Sequence, residues 1–328
     1  MDTDAIMRYV LIAIASTAVL IIFLILFFIV GNGIELFKDV DPIEFIFGTD
    51  WSPSDGSYGA LPMIIGTLLV TLGAIAFAFP MGLLAAIYIS EFANPKVRSV
   101  LKPLCEVFAG IPSVVYGFFG LVILVPFLSK IFDGNLLFGS SWLAASIILG
   151  IMALPTIISV SEDAIRAVPN SYREASIAMG ANRWETTAKV IVPAAVMGIS
   201  AAVTLGIGRA IGETMAVMMV SGNATIIPDP LWNIFSLIST ITGTLALEMP
   251  ESVVGDTHYN ALFMLALVLM IMVFAVNIVA KKITDNMKQK FNGTASNDRS
   301  KIRAYATFVD IIQRNKKMIC KVGSFILI

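Results

Sequence analysis

The sequence has few charged residues and few residues that bind metals or form disulfides. Only 14% of its 328 residues are charged, whereas a soluble domain has about 25%. Two cysteines, Cys105 and Cys320, cannot build a disulfide framework, and neither stands in a metal-ligand spacing. A single histidine, His258, excludes the paired-histidine ligation of a buried haem. We therefore expect this chain to hold no metal and no cofactor.

Two further absences bear on function. No segment matches GxxxxGK[ST], the loop that cradles the phosphates of ATP. If the protein uses ATP, another chain must supply the nucleotide site, so we do not expect this chain to be an enzyme. The net charge of −1 provides no basic surface, and nucleic acid is therefore not an expected partner.

The sequence is instead rich in long apolar runs, and 57% of its residues are hydrophobic. Runs of about 20 apolar residues can cross a hydrocarbon core of roughly 30 Å as helices. We predict an all-α integral membrane protein with six transmembrane helices, bent where Pro80, Pro112 and Pro155 occur. The predicted spans are at about residues 9–30, 61–90, 107–129, 141–160, 190–220 and 259–280.

The basic residues predict the orientation, because Lys and Arg collect on the cytoplasmic side of membrane proteins. With both termini inside, the outer loops hold only Lys38 and Lys130, and Arg209 lies within a span. The first run is longer than the apolar core of a signal peptide, so we expect a retained helix of a multi-pass plasma-membrane protein. Residues 1–290 form the predicted transmembrane domain, and residues 291–328 form a basic cytoplasmic tail without an assigned role.

Residues 204–220, TLGIGRAIGETMAVMMV, place Arg209 and Glu213 in a predicted span. A charge near the centre of a membrane helix costs roughly 2.5–3.5 kcal/mol on insertion scales. Four residues apart on one helix, the two side chains share a face. They form either a structural ion pair or a contact on the path of an anionic substrate. A guanidinium suits an oxyanion because it offers two parallel donors and stays charged.

The same segment predicts a helix contact. Small residues recur every fourth position, a pattern that permits close approach of another helix. This small-residue stripe packs either within the chain or against a partner, with the charged pair beside it. Its members are Thr204, Gly208, Gly212 and Ala216.

Residues 161–189 form a predicted cytoplasmic loop of two short helices that meet at a glycine. The sequence SYREASIAMGANRWETTAKVIVP resembles the EAA loop of ABC importer permeases, whose pattern is E-A-A-x3-G-x9-I-x-L-P. Glu174, Ala175, Gly180 and Pro193 match, and Ser176 replaces the second alanine. The resemblance implies that Glu174, Ala175, Ser176 and Gly180 dock an ATP-binding subunit and transmit its closure. We call residues 161–189 the EAA-type loop.

Residues 1–285 resemble the phosphate importer permeases of the PstC type, in residues 49–68, 110–120 (GIPSVVYGFFG) and 208–217 (GRAIGETMAV). The resemblance implies a type I importer fold and a role for Arg209 and Glu213 in phosphate transport. It also implies partners: a homologous PstA-type permease, two ATP-binding subunits that bind ATP and Mg²⁺, and an extracytoplasmic phosphate-binding protein.

Some alternatives stay open at this point. Ser113 and Tyr116 present hydroxyls either to the substrate path or, by the simpler interpretation, to nearby backbone groups. One arginine does not separate phosphate from sulfate or molybdate. An ion-coupled secondary transporter is a further alternative, although neither a repeated six-span half nor intramembrane acidic relays are visible.

Overall fold

The structure, a computed structural model, describes residues 3–132 and 139–291. The predicted basic tail beyond Phe291 lies outside the described residues. Most of the described residues are helical. The described residues also contain one two-stranded antiparallel sheet, in which Trp51 pairs with Tyr58.

The elements follow one another in a simple order. The strands are β1 (Trp51–Ser52) and β2 (Ser57–Tyr58), between α2 and α3. Short π-helical turns lie at Tyr88–Phe92, Gly120–Leu124 and Thr187–Ile191. The helices of the described residues are α1 (Thr3–Glu35), α2 (Pro42–Phe47), α3 (Leu61–Ile87), α4 (Pro95–Ala109), α5 (Ser113–Phe119), α6 (Val125–Ile131), α7 (Trp142–Arg166), α8 (Asn170–Ala178), α9 (Arg183–Thr186), α10 (Val192–Ala194), α11 (Val196–Gly212), α12 (Met215–Val220), α13 (Ile241–Glu248) and α14 (Thr257–Phe291).

Within the described residues, five helical stretches are long and apolar enough to cross a membrane. They are Met7–Lys38, Leu61–Phe92, Ser113–Ile131, Trp142–Arg166 and Thr257–Asn286. The predicted fifth span is instead a bent pair, Arg183–Ala194 and Val196–Gly212, whose axes differ by 69°. Counting that pair as one span gives the six that the sequence predicts.

The region before the third span differs from the sequence-based expectation. The predicted spans end at about residue 90 and begin again at about residue 107, with the residues between them as a connection. The structure has a separate helix there, α4, and the span begins at Ser113. Pro95 begins α4, where its missing N–H costs nothing, and Pro112 precedes α5 as its N-cap rather than bending a continuous helix.

The chain divides into two compact units. The first consists of the chain up to Thr67, Asn223–Trp232 and Ile238–Met272. In its core, Phe45, Met63 and Leu262 are fully buried. Gly33 allows α1 to approach α14 closely, because a Cβ there would lie 3.2 Å from the backbone of Met264. Most of α1 is exposed and apolar, as befits a helix in lipid.

The second unit consists of Leu68–Gly222, Asn233–Leu237 and the chain from Val273. One apolar cluster in it joins α3, α7 and the chain that follows the EAA-type loop, through Ile87, Ile165, Ile191 and Ile199. Each apolar side chain fully removed from a polar environment contributes about 1.5–3 kcal/mol. This unit contains the residues for which the sequence predicts a function.

Candidate functional site

The segment that carries Arg209 and Glu213 is a broken helix. α11 ends at Gly212, Glu213 has an extended backbone (φ −74°, ψ 130°), and α12 begins at Met215. The expectation of one continuous helix is therefore wrong. Arg209 lies in the last turn of α11, whereas Glu213 stands in the break.

Arg209 links three elements of the second unit. Its guanidinium donates to the Thr156 hydroxyl of α7 at 3.3 Å and to the Ala109 carbonyl at 3.4 Å. Ala109 is the last residue of α4, where unsatisfied carbonyls concentrate partial negative charge. A cation at the ends of both α4 and α11 is therefore favourably placed, and both hydrogen bonds are long enough to be exchanged for a better acceptor.

Glu213 lies at the other side of the break. Its carboxylate accepts a hydrogen bond of 3.5 Å from the N–H of Ala216, in the first turn of α12. A negative charge complements a helix N-terminus as a positive charge complements a C-terminus. The two charges thus compensate the two helix ends that the break creates, which accounts for their presence in an apolar segment.

The predicted small-residue stripe does not pack as one face. Ala216 belongs to α12, beyond the break, and is buried. A Cβ added to Gly208 or Gly212 would meet no described atom within 4 Å. Thr204 donates its hydroxyl to the Ser200 carbonyl of its own helix. The face of α11 with Gly208 and Gly212 is thus open within the described part of the chain.

A second small-residue stripe, which the sequence reading missed, packs α11 against α7. A Cβ on Gly206 would lie 2.9 Å from Ile157, and one on Gly198 would overlap Ala164. Ala202, between them, and Ala210, four residues after Gly206, are buried. The spacing of four was visible in the sequence, but two such stripes share this segment, and pattern alone does not tell which one faces the same chain.

Ser113 and Tyr116 lie in the first turn of α5. The Tyr116 hydroxyl donates to the Phe108 carbonyl at 2.9 Å. Of the two alternatives for this hydroxyl, the structure thus shows a bond to a nearby backbone group. Ser113 is half-buried at the first position of α5. Gly117, one position after Tyr116, allows α12 to approach, because a Cβ there would lie 2.9 Å from the Ala216 Cα.

The EAA-type loop forms two short helices, α8 and α9, that meet at a glycine as predicted. Gly180 has φ +87°, a conformation that disfavours other residues. Asn182 and Glu185 form a reciprocal capping box that fixes the start of α9. Glu174 and Ala175 are exposed, and the Ser176 hydroxyl lies 2.9 Å from that of Thr186, joining α8 to α9. Hydrogen bonds within the loop thus fix the two helices against each other, while Glu174, Ala175 and Gly180 are exposed.

Two buried carboxylates, neither identified from the sequence, form ion pairs here: Glu91 outside the EAA-type loop, and Glu162 at its beginning, where the loop overlaps the end of α7. Glu91 follows α3 and receives hydrogen bonds from Arg173. Glu162, near the end of α7, is 1% exposed and accepts from Arg98 and, at 2.8 Å, from Lys102. Hydrogen bonds to Asp163 and Glu162 raise the pKa of Lys102. Each buried carboxylate is thus paired with a cation from another segment, and removing one partner would leave an uncompensated buried charge.

The first unit has its own polar cluster. The Trp51 indole donates to both carboxylate oxygens of Glu248, at 3.0 and 3.1 Å. His258 Nε2 lies 3.5 Å from the same carboxylate, and its ring stacks on Tyr58. Burial raises the pKa of Glu248, while the Trp51 hydrogen bond and His258 act in the opposite direction. The cluster ties β1 and β2 to α13 and α14.

Comparison with known proteins identifies the chain. Residues 78–291 match the family described as binding-protein-dependent transport system inner membrane component. This chain belongs to that family. Over 280 residues it is 40% identical to the probable ABC transporter permease protein YqgH of Bacillus subtilis, covering 85% of this chain and 88% of that protein. It is 36% identical over 255 residues to the phosphate transport system permease protein PstC of Mesorhizobium japonicum, covering 73% and 77%.

Solved structures show that this permease has the fold of other ABC importer permeases. A chain of the methionine ABC transporter MetNI in an inward-facing form aligns with a TM-score of 0.51 at 21% identity, covering 70% of this chain and 94% of that chain. A chain of a bacterial alginate ABC transporter, in complex with its periplasmic protein, aligns with a TM-score of 0.55 at 15% identity, covering 90% and 99%. At such identities the likeness concerns the fold, which is the type I permease fold.

The predicted class is therefore confirmed. The chain is an ABC importer permease and a multi-pass protein of the plasma membrane. It is the membrane transport component and not an enzyme by itself. The family implies ATP-binding subunits and a substrate-binding protein as partners.

Proposed function

We propose that this permease carries inorganic phosphate into the cytoplasm as the PstC-type subunit of an ATP-driven importer. The similarity to PstC proteins of several bacteria carries the assignment of the substrate. Arg209 supports it chemically, since a guanidinium binds a phosphate oxyanion through two parallel charge-assisted hydrogen bonds.

Arg209 and Glu213 form the proposed passage for the anion. Arg209 is held by two long hydrogen bonds to neutral acceptors, the Thr156 hydroxyl and the Ala109 carbonyl. Phosphate, a charged acceptor, would displace these two hydrogen bonds. Because Arg209 can return to Thr156 and Ala109, it would release phosphate again instead of binding it too tightly for transport. Ser113 and Tyr116, in α5, belong to the same proposed passage, with Tyr116 freed from Phe108 only when an anion competes.

The open face of α11 fits a partner permease. Gly208 and Gly212 leave room for another helix to approach closely, and the described part of this chain does not fill it. We propose a homologous PstA-type permease as that partner, so that the passage runs beside the subunit contact. An extracytoplasmic phosphate-binding protein would deliver the anion to the acidic outer loops.

The EAA-type loop is the proposed docking element for one of two ATP-binding subunits, which would bind ATP and Mg²⁺ in place of this chain. Glu174, Ala175 and Gly180 are exposed, and the hydrogen bond between the hydroxyls of Ser176 and Thr186 holds α8 against α9. Tyr172, Ile177 and Met179 add an exposed apolar surface that the motif alone did not suggest. This function requires the loop, and with it both termini, to lie in the cytoplasm.

A transport assay tests the substrate and the role of Arg209. The two permeases, the two ATP-binding subunits and the phosphate-binding protein are reconstituted together in vesicles. Phosphate uptake is then measured with sulfate and molybdate as competitors. We expect Arg209→Gln to lower uptake roughly 10- to 100-fold, the worth of one or two charge-assisted hydrogen bonds. Lys130→Gln, which removes an exposed charge, is the control and should leave uptake unchanged.

Two outcomes would contradict the proposal. Competition by sulfate or molybdate at least as strong as that by unlabelled phosphate would assign another oxyanion. Uptake by Arg209→Gln at the wild-type rate, in a complex assembled at the normal level, would leave Arg209 with a purely structural role.

A further inference from the structure

The chain just after α3 contains a buried acidic residue that contacts the EAA-type loop. Glu91 lies in the π-helical turn Tyr88–Phe92, and its side chain is 9% exposed. Arg173 of α8 donates to it through Nη2 at 2.6 Å and through Nε at 3.3 Å to both carboxylate oxygens. π-helical turns are rare and are frequently found at functional positions. Arg173 directly precedes Glu174 of the EAA motif.

The same guanidinium also holds the end of α7. It donates to the Val168 carbonyl at 2.7 Å and to the Ile165 carbonyl at 3.1 Å. A sixth hydrogen bond from the same guanidinium reaches the Asn170 side chain at 3.2 Å. Because guanidinium is planar and its donors are fixed in direction, a displacement of α8 displaces its acceptors together.

The second helix of the loop contacts the same point. Arg183 of α9 donates to the Glu91 backbone carbonyl, and its guanidinium lies 5.3 Å from the centre of the Phe92 ring. The Trp184 ring lies 6.1 Å from that of Phe92. Both helices of the EAA-type loop therefore contact the residues Glu91 and Phe92.

The covalent connection provides a different route. From α9 the chain continues through Thr187–Ile191 and α10 into α11, with a bend of 69° between the two halves. That route leads to Arg209, and it contacts α3 through the apolar side chains of Ile191 and Ile199. The contacts of Arg173 and Arg183 add a directional, polar connection at the end of α3.

We infer that the Arg173–Glu91 pair is the joint through which movement of the EAA-type loop reaches the second span. The inference rests on the proposed docking of an ATP-binding subunit on that loop. Arg173 and Glu91 are positioning residues, since they act on α3 and touch neither ATP nor the transported anion. The apolar cluster of Ile87, Ile165, Ile191 and Ile199 holds the unit together independently of the pair.

The ratio of ATP hydrolysed to phosphate transported tests the joint. In the reconstituted complex, we expect Glu91→Gln and Arg173→Gln each to raise this ratio roughly tenfold, the size of a typical coupling free energy between linked sites. Assembly and maximal ATP hydrolysis are measured alongside, and the double variant, which leaves no unpaired buried charge, should keep both near wild type. The double variant should be no worse than either single one, because both remove the same interaction. Arg173→Lys, which keeps the charge but not the planar fork, should be intermediate.

Lys189→Gln is the matched control. It removes an exposed pair with Glu185 in the same loop, at 3.8 Å, and should leave the ratio unchanged. The inference is overturned if the Glu91 and Arg173 variants lower hydrolysis and uptake in proportion, or if their effects add. A wild-type complex that does not transport phosphate would instead refute the proposed function, and that measurement does not involve the variants.

Discussion

Arg209 and Glu213 are stable in an apolar segment because each lies where a helix end needs its charge. Arg209 is close to the carbonyl ends of α4 and α11, and Glu213 accepts from the first turn of α12. Such placements are worth about 0.3–1 kcal/mol at exposed positions and up to about 2 kcal/mol when partly buried. A structural role and a role in transport are therefore compatible.

Glu248 is a residue of the first unit whose protonation affects stability. Burial raises its pKa above the ordinary value, so the ionised form is penalised in the folded protein. This penalty is present at neutral pH and is relieved as the pH falls through the raised pKa.

We predict that the wild-type protein gains thermal stability relative to Glu248→Gln as the pH is lowered from 7 toward the ordinary glutamate range. The variant lacks the Glu248 carboxyl, so the difference between the two unfolding curves reports Glu248 together with its partner His258, 3.5 Å away. Glu44→Gln, at an exposed carboxylate of the same unit, is the control. A difference that stays constant over this pH range would contradict the assignment.

At the scale of the elements, helix α11 has two faces that contain glycine, one packed against α7 and one open within the described residues. Gly206 is required by the contact with Ile157 of α7, whereas the space beside Gly208 is open. Substitutions at Gly206 and Gly208 therefore distinguish packing within the chain from contact with a partner.

We predict that Gly206→Val destabilises the isolated permease by about 1–3 kcal/mol, the usual cost of overpacking a core. Gly208→Val should leave its stability in detergent unchanged apart from a small helix-propensity effect, yet reduce co-purification with the partner permease. Thermal unfolding and pull-down yield measure the two effects. Equal destabilisation by both substitutions would show that the face with Gly208 packs within the chain.

At the scale of the whole molecule, transport by the proposed mechanism requires a fixed orientation in the membrane. The outer loops and the EAA-type loop must lie on opposite sides. Two highly exposed residues report on this: Met179 at the end of α8 and Val254 before α14.

We predict that, in a background with Cys105→Ser and Cys320→Ser, Val254→Cys reacts with a membrane-impermeant maleimide in intact cells. Met179→Cys should react only after permeabilisation. The opposite pattern would invert the topology and exclude docking of a cytoplasmic ATP-binding subunit on this loop.

Some features could be predicted from the sequence because they depend on local properties. The apolar runs correspond to the spans, since a helix of about 20 apolar residues satisfies its backbone within itself. The turn of the EAA-type loop at Gly180 follows from the conformational freedom of glycine, and the capping box follows from the spacing of Asn182 and Glu185. The family resemblance rests on the same short motifs.

Other features were decided by the tertiary structure. The break after Gly212 lies in a segment whose composition suits a continuous helix, and the two stripes of small residues in α11 look alike until α7 occupies one of them. Glu91 and Arg173 are distant in sequence, and neither belongs to a motif. The sequence by itself determined which segments are apolar enough to enter the membrane and where the EAA-type loop turns, because burial in lipid and turn formation depend on neighbouring residues. Only the tertiary structure determined which charges meet, because ion pairing between distant residues depends on how the helices pack.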